Sequence, residues 1–398
     1  MKKEKIKYHT KLLEIICKFQ KPKSGKLISK NETFNGLKAQ FKPYGKEFKI
    51  QFTYDNSSKK KDLDIGQYHK NIQIQFGDSI YNLESVFLGH HSLSNFTGSV
   101  HRIHTKGYSE KQKYYYQLVM PLEKGMDFHF NIDETTFNSD MVDYSRSTTT
   151  ATLKGEKFQV CCIYTDKKVF YLVLDSQEKQ TFDEFAKKAD AVKIGIGYLT
   201  GYYAGNMGYY FAYTSKGMKE PKHFRFVQFR DSIKSGYCPI YSNAYGYLHH
   251  DKLLAKKYYP LLRSVSLKEF SLLCEKIHGS LDFASTLMLM LESSVASLLF
   301  MPGGYAIALE TMSDLVIGIK KLKLAPIKDK TVSRTIRKEF LEVLNKLFIP
   351  VILTPHSGHT DPPLLRGIFE DKILKNDQWL FVSVKLFFFV FLSQRFSF

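Results

Sequence analysis

The chain of 398 residues is 43% hydrophobic and 15% aromatic, which is enough apolar matter for packed cores and argues against a disordered protein. Lys and Arg number 58 against 39 Asp and Glu, so the formal net charge is +19, which fits either an anionic partner such as nucleic acid or a bias toward Lys in composition. The five cysteines form no C-x-x-C pair, and we find neither a signal peptide nor an apolar run long enough to span a membrane, so we expect a reduced, cytoplasmic protein without a membrane partner.

The chain up to about residue 175 has the alternation of apolar and polar residues that predicts β-strands. Phe48–Tyr54 alternates strictly, and Phe158–Tyr164 and Val169–Leu174 flank a short polar turn, as the two strands of a hairpin do. Many short strands separated by turn residues are typical of a sandwich or barrel-like sheet. Further strands are predicted at Ile72–Phe76, Tyr114–Met120, Phe128–Ile132, Tyr209–Tyr213 and Phe224–Phe229.

One helix is predicted within this β-rich part, over Phe182–Ala204. Thr181 and Glu184 have the spacing of a capping box at its start, and Gly205 is expected to end it. The segment Gly195-Ile196-Gly197 lies inside the helix rather than after a strand, so it favours close packing of the helix over a dinucleotide-binding loop.

Beyond a boundary near residue 250 the period changes to that of helices, with a capping box at Ser266. Apolar helices are expected from Ser280 or Asp282 to Phe300 and over Tyr305–Ile319, separated by a break at Met301–Gly304. A last helix is predicted from Thr331 or Ser333 to about Leu347. The expected fold class is therefore α+β, with three parts: a β-rich domain over 1–250, an incomplete α-helical bundle over 251–347 and an aberrant hydrophobic tail over 348–398.

Carboxylates on the predicted helices are the first candidates for chemistry. Glu310 and Asp314 lie one helical turn apart and share a face, and inside an apolar bundle they would be either a buried polar network or site residues. No phosphate-binding loop or nucleophile motif occurs. The pair His101-x-x-His104 would point to opposite faces of a strand, so we expect neither a metal nor a cofactor.

A cluster of basic residues is the candidate nucleic-acid-binding site. It begins at the end of one predicted helix, crosses a loop and enters the next, so it fits either anion binding near a helix start or a solvated rim of the bundle. The residues assigned to binding are Lys320, Lys321, Lys323, Arg334, Arg337 and Lys338.

Several segments resemble a known arrangement, an ApeA-type amino-terminal domain followed by a HEPN domain. Phe34-Asn35-Gly36-Leu37, Ser92–Gly98 and the helix over Ala189–Gly205 followed by Phe224-Arg225 carry the first part of the resemblance. Leu291-Glu292-Ser293-Ser294 and Ala308–Asp314 carry the second. The resemblance implies a HEPN-like bundle, a role in bacterial anti-phage abortive infection, RNA as substrate, a phage-derived trigger and a homodimer formed through the bundle.

HEPN ribonucleases are metal-independent and use an Arg and a His separated by about four to six residues, for phosphate binding and for acid–base catalysis. No Arg in this chain has a His at that spacing. The resemblance therefore predicts a shortened relative of such a ribonuclease that lacks its own catalytic pair, with Glu310 and Asp314 as the remaining polar residues of the site. The alternative hypothesis is a non-enzymatic basic module whose Lys-rich β domain binds nucleic acid or another anionic ligand.

Overall fold

The computed structural model describes residues 2–30, 34–53, 65–92, 95–126, 131–132, 145–164, 169–235, 265–297 and 300–320. The chain divides into two compact units, Met1–Ser297 and Leu298–Phe398. The helices are α1 (Lys2–Phe19), α2 (Phe182–Thr200), α3 (Leu267–Gly279), α4 (Leu281–Ser293) and α5 (Met301–Lys320). The strands are β1 (Lys23–Ser29), β2 (Lys38–Tyr44), β3 (Glu47–Thr53), β4 (Tyr68–His69), β5 (Ile72–Phe76), β6 (Ser79–Leu83), β7 (Val86–Ser92), β8 (Asn95–Val100), β9 (Arg102–Thr105), β10 (Tyr115–Leu122), β11 (Ser145–Leu153), β12 (Glu156–Tyr164), β13 (Phe170–Ser176), β14 (Tyr202–Tyr203), β15 (Met207–Tyr213), β16 (His223–Gln228) and β17 (Ile233–Lys234).

Fifteen of these strands form one antiparallel sheet in the order β11-β12-β13-β10-β15-β16-β9-β6-β5-β1-β2-β3-β8-β7-β4, and β14 pairs with β17. The prediction of a β-rich α+β protein is therefore confirmed. The predicted hairpin is also confirmed, because β12 and β13 pair with Tyr164 opposite Phe170. Of the strand predicted at Phe128–Ile132, only the last two residues are described, and Ile132 forms an isolated bridge with Val265.

Part of the sheet curves back on itself. The run β9-β6-β5-β1-β2-β3-β8 has β9 at one end and β8 at the other. Only His101 separates these two strands in the chain, so the two ends of the run lie next to each other. Its interior is filled by Phe and Ile side chains from alternate strand positions, such as Phe41, Phe48 and Ile50, together with side chains of α1. The opposite positions of β1, β2, β3 and β8 face outward and are mostly polar.

Helix α1 corrects the prediction that the chain begins with strands. Leu12, Ile16 and Phe19 recur every three or four residues, so they share one face of the helix and are buried in the core of the curved sheet. Phe19 packs edge-on against Phe48 with ring centroids 5.0 Å apart. The strand prediction failed here because the helical period was not recognised in a segment rich in Lys.

Helix α2 begins as predicted, with the capping box of Thr181 and Glu184, but it ends at Thr200 because Gly201 adopts a left-handed conformation (φ 68°) and terminates it. The expected end at Ala204 and stop at Gly205 were therefore wrong. The prediction that the helical glycines allow close packing is confirmed, because a Cβ on Gly195 would lie 3.1 Å from the Cys274 sulfur of α3.

Helices α3 and α4 belong to the same compact unit as the sheet. The Ser266 capping box is confirmed, and α3 lies against α2 and β11, where the Ser271 hydroxyl accepts a hydrogen bond from the backbone N–H of Thr152 at 3.0 Å. Ser280 caps α4, which ends at Ser293 rather than Phe300. The predicted domain boundary near residue 250 lies outside the described residues and stays a prediction.

Helix α5 begins at Met301, so the segment Met301–Gly304, which was expected to break the helices, is its first turn. Proline is compatible with that position because the first N–H groups of a helix have no partner within it. The predicted last helix and the tail over 348–398 lie outside the described residues, and the HEPN-like bundle stays a prediction.

Candidate nucleic-acid interface

The two candidate catalytic carboxylates lie on the solvent-exposed side of α5. Glu310 and Asp314 share a face as predicted, but both are exposed, as is Ile307 one turn before Glu310. The buried polar network considered for them is therefore wrong, because the helix buries Tyr305, Ala308 and Ser313 instead. Their assignment as site residues stays a prediction.

The predicted basic cluster lies outside the described residues. Lys320 is the last residue of α5 and its side chain is not described; the other members follow it in the chain. The cluster and its role therefore stay a prediction. Glu292, which lies in the segment Leu291–Ser294 that carries part of the resemblance, forms an ion pair with Arg230.

The structure brings together a different set of basic side chains, on the outward side of strands β1, β2, β3 and β8. Strands β2, β3 and β8 alternate buried residues with outward polar ones, so the register places the polar residues in rows across the sheet, and Ser24 and Lys26 of β1 continue these rows. We call this surface the lysine face. It comprises Ser24, Lys26, Lys38, Gln40, Lys42, Lys49, Gln51, Thr53, Thr97 and Ser99.

Two pairs of lysines stand directly opposite each other on neighbouring strands of this face. Lys26 of β1 is the partner of Lys38 of β2, and Lys42 of β2 is the partner of Lys49 of β3. Like charges in such positions repel and destabilise a sheet. Lys26, Lys38 and Lys42 make no ion pair with any residue that the structure describes, so three of the four charges have no compensating carboxylate there.

One acidic side chain lies at the margin of the lysine face. The Glu47 carboxylate is 3.9 Å from the Lys49 ammonium and accepts a hydrogen bond of 3.1 Å from the Ser99 hydroxyl. Four lysines against this one glutamate leave the surface with a net positive charge. Such a surface attracts a polyanion, and added salt weakens this attraction.

The lysines continue into a row of exposed aromatic rings. Lys42, Lys49, Ser99, Phe87 and Tyr68 are successive cross-strand neighbours on β2, β3, β8, β7 and β4. Five strands span about 19 Å at the usual spacing. Tyr68 is 60% exposed and Phe87 36% exposed, whereas most Phe residues of the described core are fully buried.

Two shallow grooves run along this surface. One, of about 450 Å³, is lined by Lys42, Lys49 and Phe87 together with Tyr44, whose ring lies 3.4 Å from the Lys49 ammonium. The other, of about 920 Å³, is lined by amide, hydroxyl and lysine side chains of β1, β2, β3 and β8. The grooves therefore offer charge, neutral hydrogen-bonding groups and aromatic surface side by side.

A second charged cluster, around Arg225 of β16, has the opposite character. The Arg225 guanidinium is buried and pairs with Glu84 at 2.9 Å and with Glu110, and it lies over the Phe182 ring at 4.0 Å. Burial alone would lower the pKa of Arg225, but the adjoining carboxylates, Glu84 foremost, raise it above its ordinary value. We call these groups, with Tyr108, the arginine cluster.

The tyrosines and the histidine near the arginine cluster are held in their neutral forms. The Tyr108 and Tyr116 hydroxyls are 3.2 Å apart, and burial raises the pKa of both, that of Tyr116 to about 12. Burial, reinforced by Lys222 and His104, lowers the pKa of His223. A neutral tyrosine is a poor base at neutral pH, and the cation is already paired, so the arrangement supports a structural role.

The described part of the chain contains no group of three or more His, Cys, Asp and Glu side chains arranged to hold a metal. His101 contacts Gln228 and lies 3.6 Å from Glu47, whereas His104 lies 3.4 Å from the Asn82 amide and 4.0 Å from Glu84. The two histidines therefore have separate partners. Among the described helices, none is both long and apolar enough to cross a membrane.

Neither a protein-family model, nor a curated protein, nor a solved structure matches the chain. The geometry of the lysine face is therefore the main guide to function. Sequence reasoning missed this surface, although Lys38-x-Gln40-x-Lys42 and Lys49-x-Gln51-x-Thr53 place polar side chains, three of them lysines, at alternate positions of two adjacent strands. The signal was available in that alternation, in which the first outward residue of β3, Glu47, is the acidic one.

Proposed function

We propose that the chain is a non-catalytic nucleic-acid-binding protein that holds the phosphate backbone on the lysine face. The observation that carries the proposal is the pair of directly opposed lysine couples, Lys26 with Lys38 and Lys42 with Lys49. Each couple destabilises the free sheet, and a bound phosphate between the ammonium groups would relieve the repulsion.

The neutral groups between the lysine couples support the same proposal. Gln40 and Gln51 are cross-strand partners, and Gln51 is also opposite Thr97, so amide and hydroxyl donors fill the row between the charges. Hydrogen bonds to phosphate and sugar oxygens come from such side chains as well as from lysine. The surface thus supplies both long-range attraction and short-range positioning.

The alternative of a shortened HEPN ribonuclease depends on residues that the structure does not describe. Its predicted basic cluster follows Lys320, and the region where its Arg and His would lie follows Leu347. It stays a prediction, as do the phage-derived trigger and the homodimer. The lysine face is the basis of the proposal because its charges, register and neighbours are all described.

Deletion of residues 251–398 would not be a clean test of this proposal. It would remove α3, whose Cys274 packs against Gly195 of α2. The backbone N–H of Lys154 would also lose its hydrogen-bond acceptor, the Glu275 carboxylate. The loss of binding in such a fragment would be inseparable from the loss of the fold. Point substitutions in the full chain avoid this difficulty.

The test compares two quadruple variants of the full chain. One carries Lys→Gln at the four lysine-face positions, and the matched control carries Lys→Gln at four exposed lysines elsewhere in the described part, so that both lose the same net charge. The face variant changes Lys26, Lys38, Lys42 and Lys49; the control changes Lys111, Lys157, Lys219 and Lys268.

Binding of a fluorescent RNA oligonucleotide is measured by anisotropy between 50 and 200 mM salt. Four phosphate contacts give a slope of about −3 in a plot of log K against log salt, or about a 50-fold loss over this range. We expect the face variant to lose this dependence while the control keeps it. Equal affinity and equal slope in the two variants would contradict the proposal.

A further inference from the structure

The exposed aromatic rings beside the lysines suggest more than attraction to phosphate. Tyr68 and Phe87 are cross-strand partners with ring centroids 5.1 Å apart, tilted by 56°. Both expose ring surface, on the same side of the sheet as Lys42 and Lys49. Exposed aromatic surface of this kind is unfavourable in water unless a partner covers it.

We infer that the ligand of the lysine face is a single-stranded nucleic acid whose bases stack on Tyr68 and Phe87 while its phosphates lie over Lys42 and Lys49. This inference rests on the proposed function and defines the ligand class of that same surface. It follows from the row that joins two ammonium groups to two rings within about 19 Å, across five strands.

Single strands fit this row and duplexes do not. In a duplex the faces of the bases are stacked on one another, so only phosphates, sugars and base edges are available to the protein. A single strand can present both its charged backbone and its base faces, and stacking is tolerant of sequence because every base has a π-face. Ser99 lies between Lys49 and Phe87 in the row, and its small side chain leaves space for a sugar between the phosphate and the base.

Tyr44 has a different part in the same groove. Its ring is 57% exposed, but the Lys49 ammonium lies over it at 3.4 Å, so one face is already occupied by a cation–π contact. This contact fixes the Lys49 head group beside the groove. Tyr44 therefore positions a phosphate-binding lysine, and the two rings left for bases are Tyr68 and Phe87.

The inference is tested with the full chain and three polyanionic probes: a single-stranded RNA, a duplex RNA of the same sequence and inorganic polyphosphate, which has no bases. The variant Tyr68→Leu/Phe87→Leu removes both rings but keeps apolar bulk. Tyr68→Phe keeps the ring, and Phe300→Leu serves as a control because Phe300 is an exposed aromatic residue of the second unit.

We expect the wild-type chain to prefer the single strand, and the double Leu variant to lose about tenfold or more of that affinity with its salt slope unchanged. Binding of polyphosphate should not change in the double variant, and Phe300→Leu should bind the single strand like the wild type. Tyr68→Phe, which keeps a ring for stacking, should lose less affinity than the double variant. If the double variant binds the single strand as tightly as the wild type, the stacking inference is overturned while the proposed function stands. If the wild type binds none of the three probes, the proposed function itself fails.

Discussion

The lysine face and the arginine cluster are both strongly charged, but the charges are paired with opposite charges in the arginine cluster and stand opposite like charges on the lysine face. Around Arg225 one buried cation meets two carboxylates, and aromatic rings exclude water from it. On the lysine face, Lys26 and Lys42 each stand opposite another lysine, and one glutamate lies at the margin. Charge that is paired within the chain holds strands together, whereas charge left uncompensated on a sheet is suited to a ligand.

The comparison also separates the two charged regions by their effect on stability. The arginine cluster joins β16 through Arg225 to Glu84 beside β6 and to Glu110 in the loop after β9, so its loss would loosen several strands at once. On the lysine face the opposed lysines repel each other, although Lys49 also contacts Glu47 and the Tyr44 ring. The two regions therefore predict opposite results for the removal of a basic residue.

Removal of Arg225 is expected to give the largest effect. Arg225→Ala should lower the free energy of unfolding by about 3–5 kcal/mol, because it removes the buried cation nearest to the partly buried Glu84 and leaves that carboxylate only the exposed Arg102, at 3.9 Å, among the described arginines and lysines. Urea denaturation of the full chain measures this. Arg225→Lys, which keeps the charge but not the planar guanidinium, should have a free energy of unfolding between those of Arg225→Ala and the wild type. A loss below about 1 kcal/mol for Arg225→Ala would contradict the structural role of the arginine cluster.

Removal of one lysine couple should change binding without weakening the fold. Lys42→Gln/Lys49→Gln should lower the salt slope by about 1.4 and the affinity for RNA by about tenfold at low salt. The free energy of unfolding should change little, because removal of the like-charge pair offsets the loss of the Lys49 contacts with Glu47 and the Tyr44 ring. A matched double variant at Lys157 and Lys219 serves as the control, and an equal loss of affinity in that variant would assign the effect to net charge alone.

Removal of the acidic group at the margin should increase binding. Glu47→Gln keeps the shape of the side chain and deletes the negative charge 3.9 Å from the Lys49 ammonium. We expect the affinity for RNA to rise by about twofold to fivefold at low salt, and the gain to disappear at high salt. Glu178→Gln, which removes an exposed carboxylate paired with Lys216, is the control. An unchanged affinity in Glu47→Gln would place the ligand elsewhere.

The smallest effect concerns acidification near the arginine cluster. Burial lowers the pKa of His223 in the folded state, so the unfolded chain binds a proton more readily as the pH falls below the ordinary value of 6.5. The stability that comes from the neutral imidazole is present above that pH and is lost below it. Thermal unfolding at pH 7.5 and 5.5 should show a smaller acid loss for His223→Phe than for the wild type, and an equal loss would assign the acid sensitivity to other groups.

The sequence predicted the regular parts of the fold where one period or one local motif dominates. The alternation in Phe48–Tyr54 and the two capping boxes at Thr181 and Ser266 identified a strand and two helix starts correctly, because these signals act over a few residues. The end of α2 was missed, since Gly201 and Gly205 look alike in sequence and only the conformation of Gly201 terminates the helix.

The candidate site could not be predicted from single segments of the sequence. The opposed couple Lys42 and Lys49 is visible only when the register of β2 and β3 is known, and Phe87 joins the row only through β8. The curved sheet also brings the distant Arg225 and Glu84 together, which no local spacing indicates. Non-local pairing, rather than residue choice, determines both charged regions.

The central claim is that the lysine face, and not the basic cluster after α5, holds the nucleic acid. Photocrosslinking of the full chain to a 4-thiouridine RNA, followed by mass spectrometry of the peptides, tests this most directly. We predict crosslinks in peptides from 38–53 and 65–99, concentrated at Tyr68 and Phe87, and lost in the Lys→Gln face variant. Crosslinks confined to the peptides that contain Lys320–Lys338 would contradict the account and place binding on the helical part of the chain.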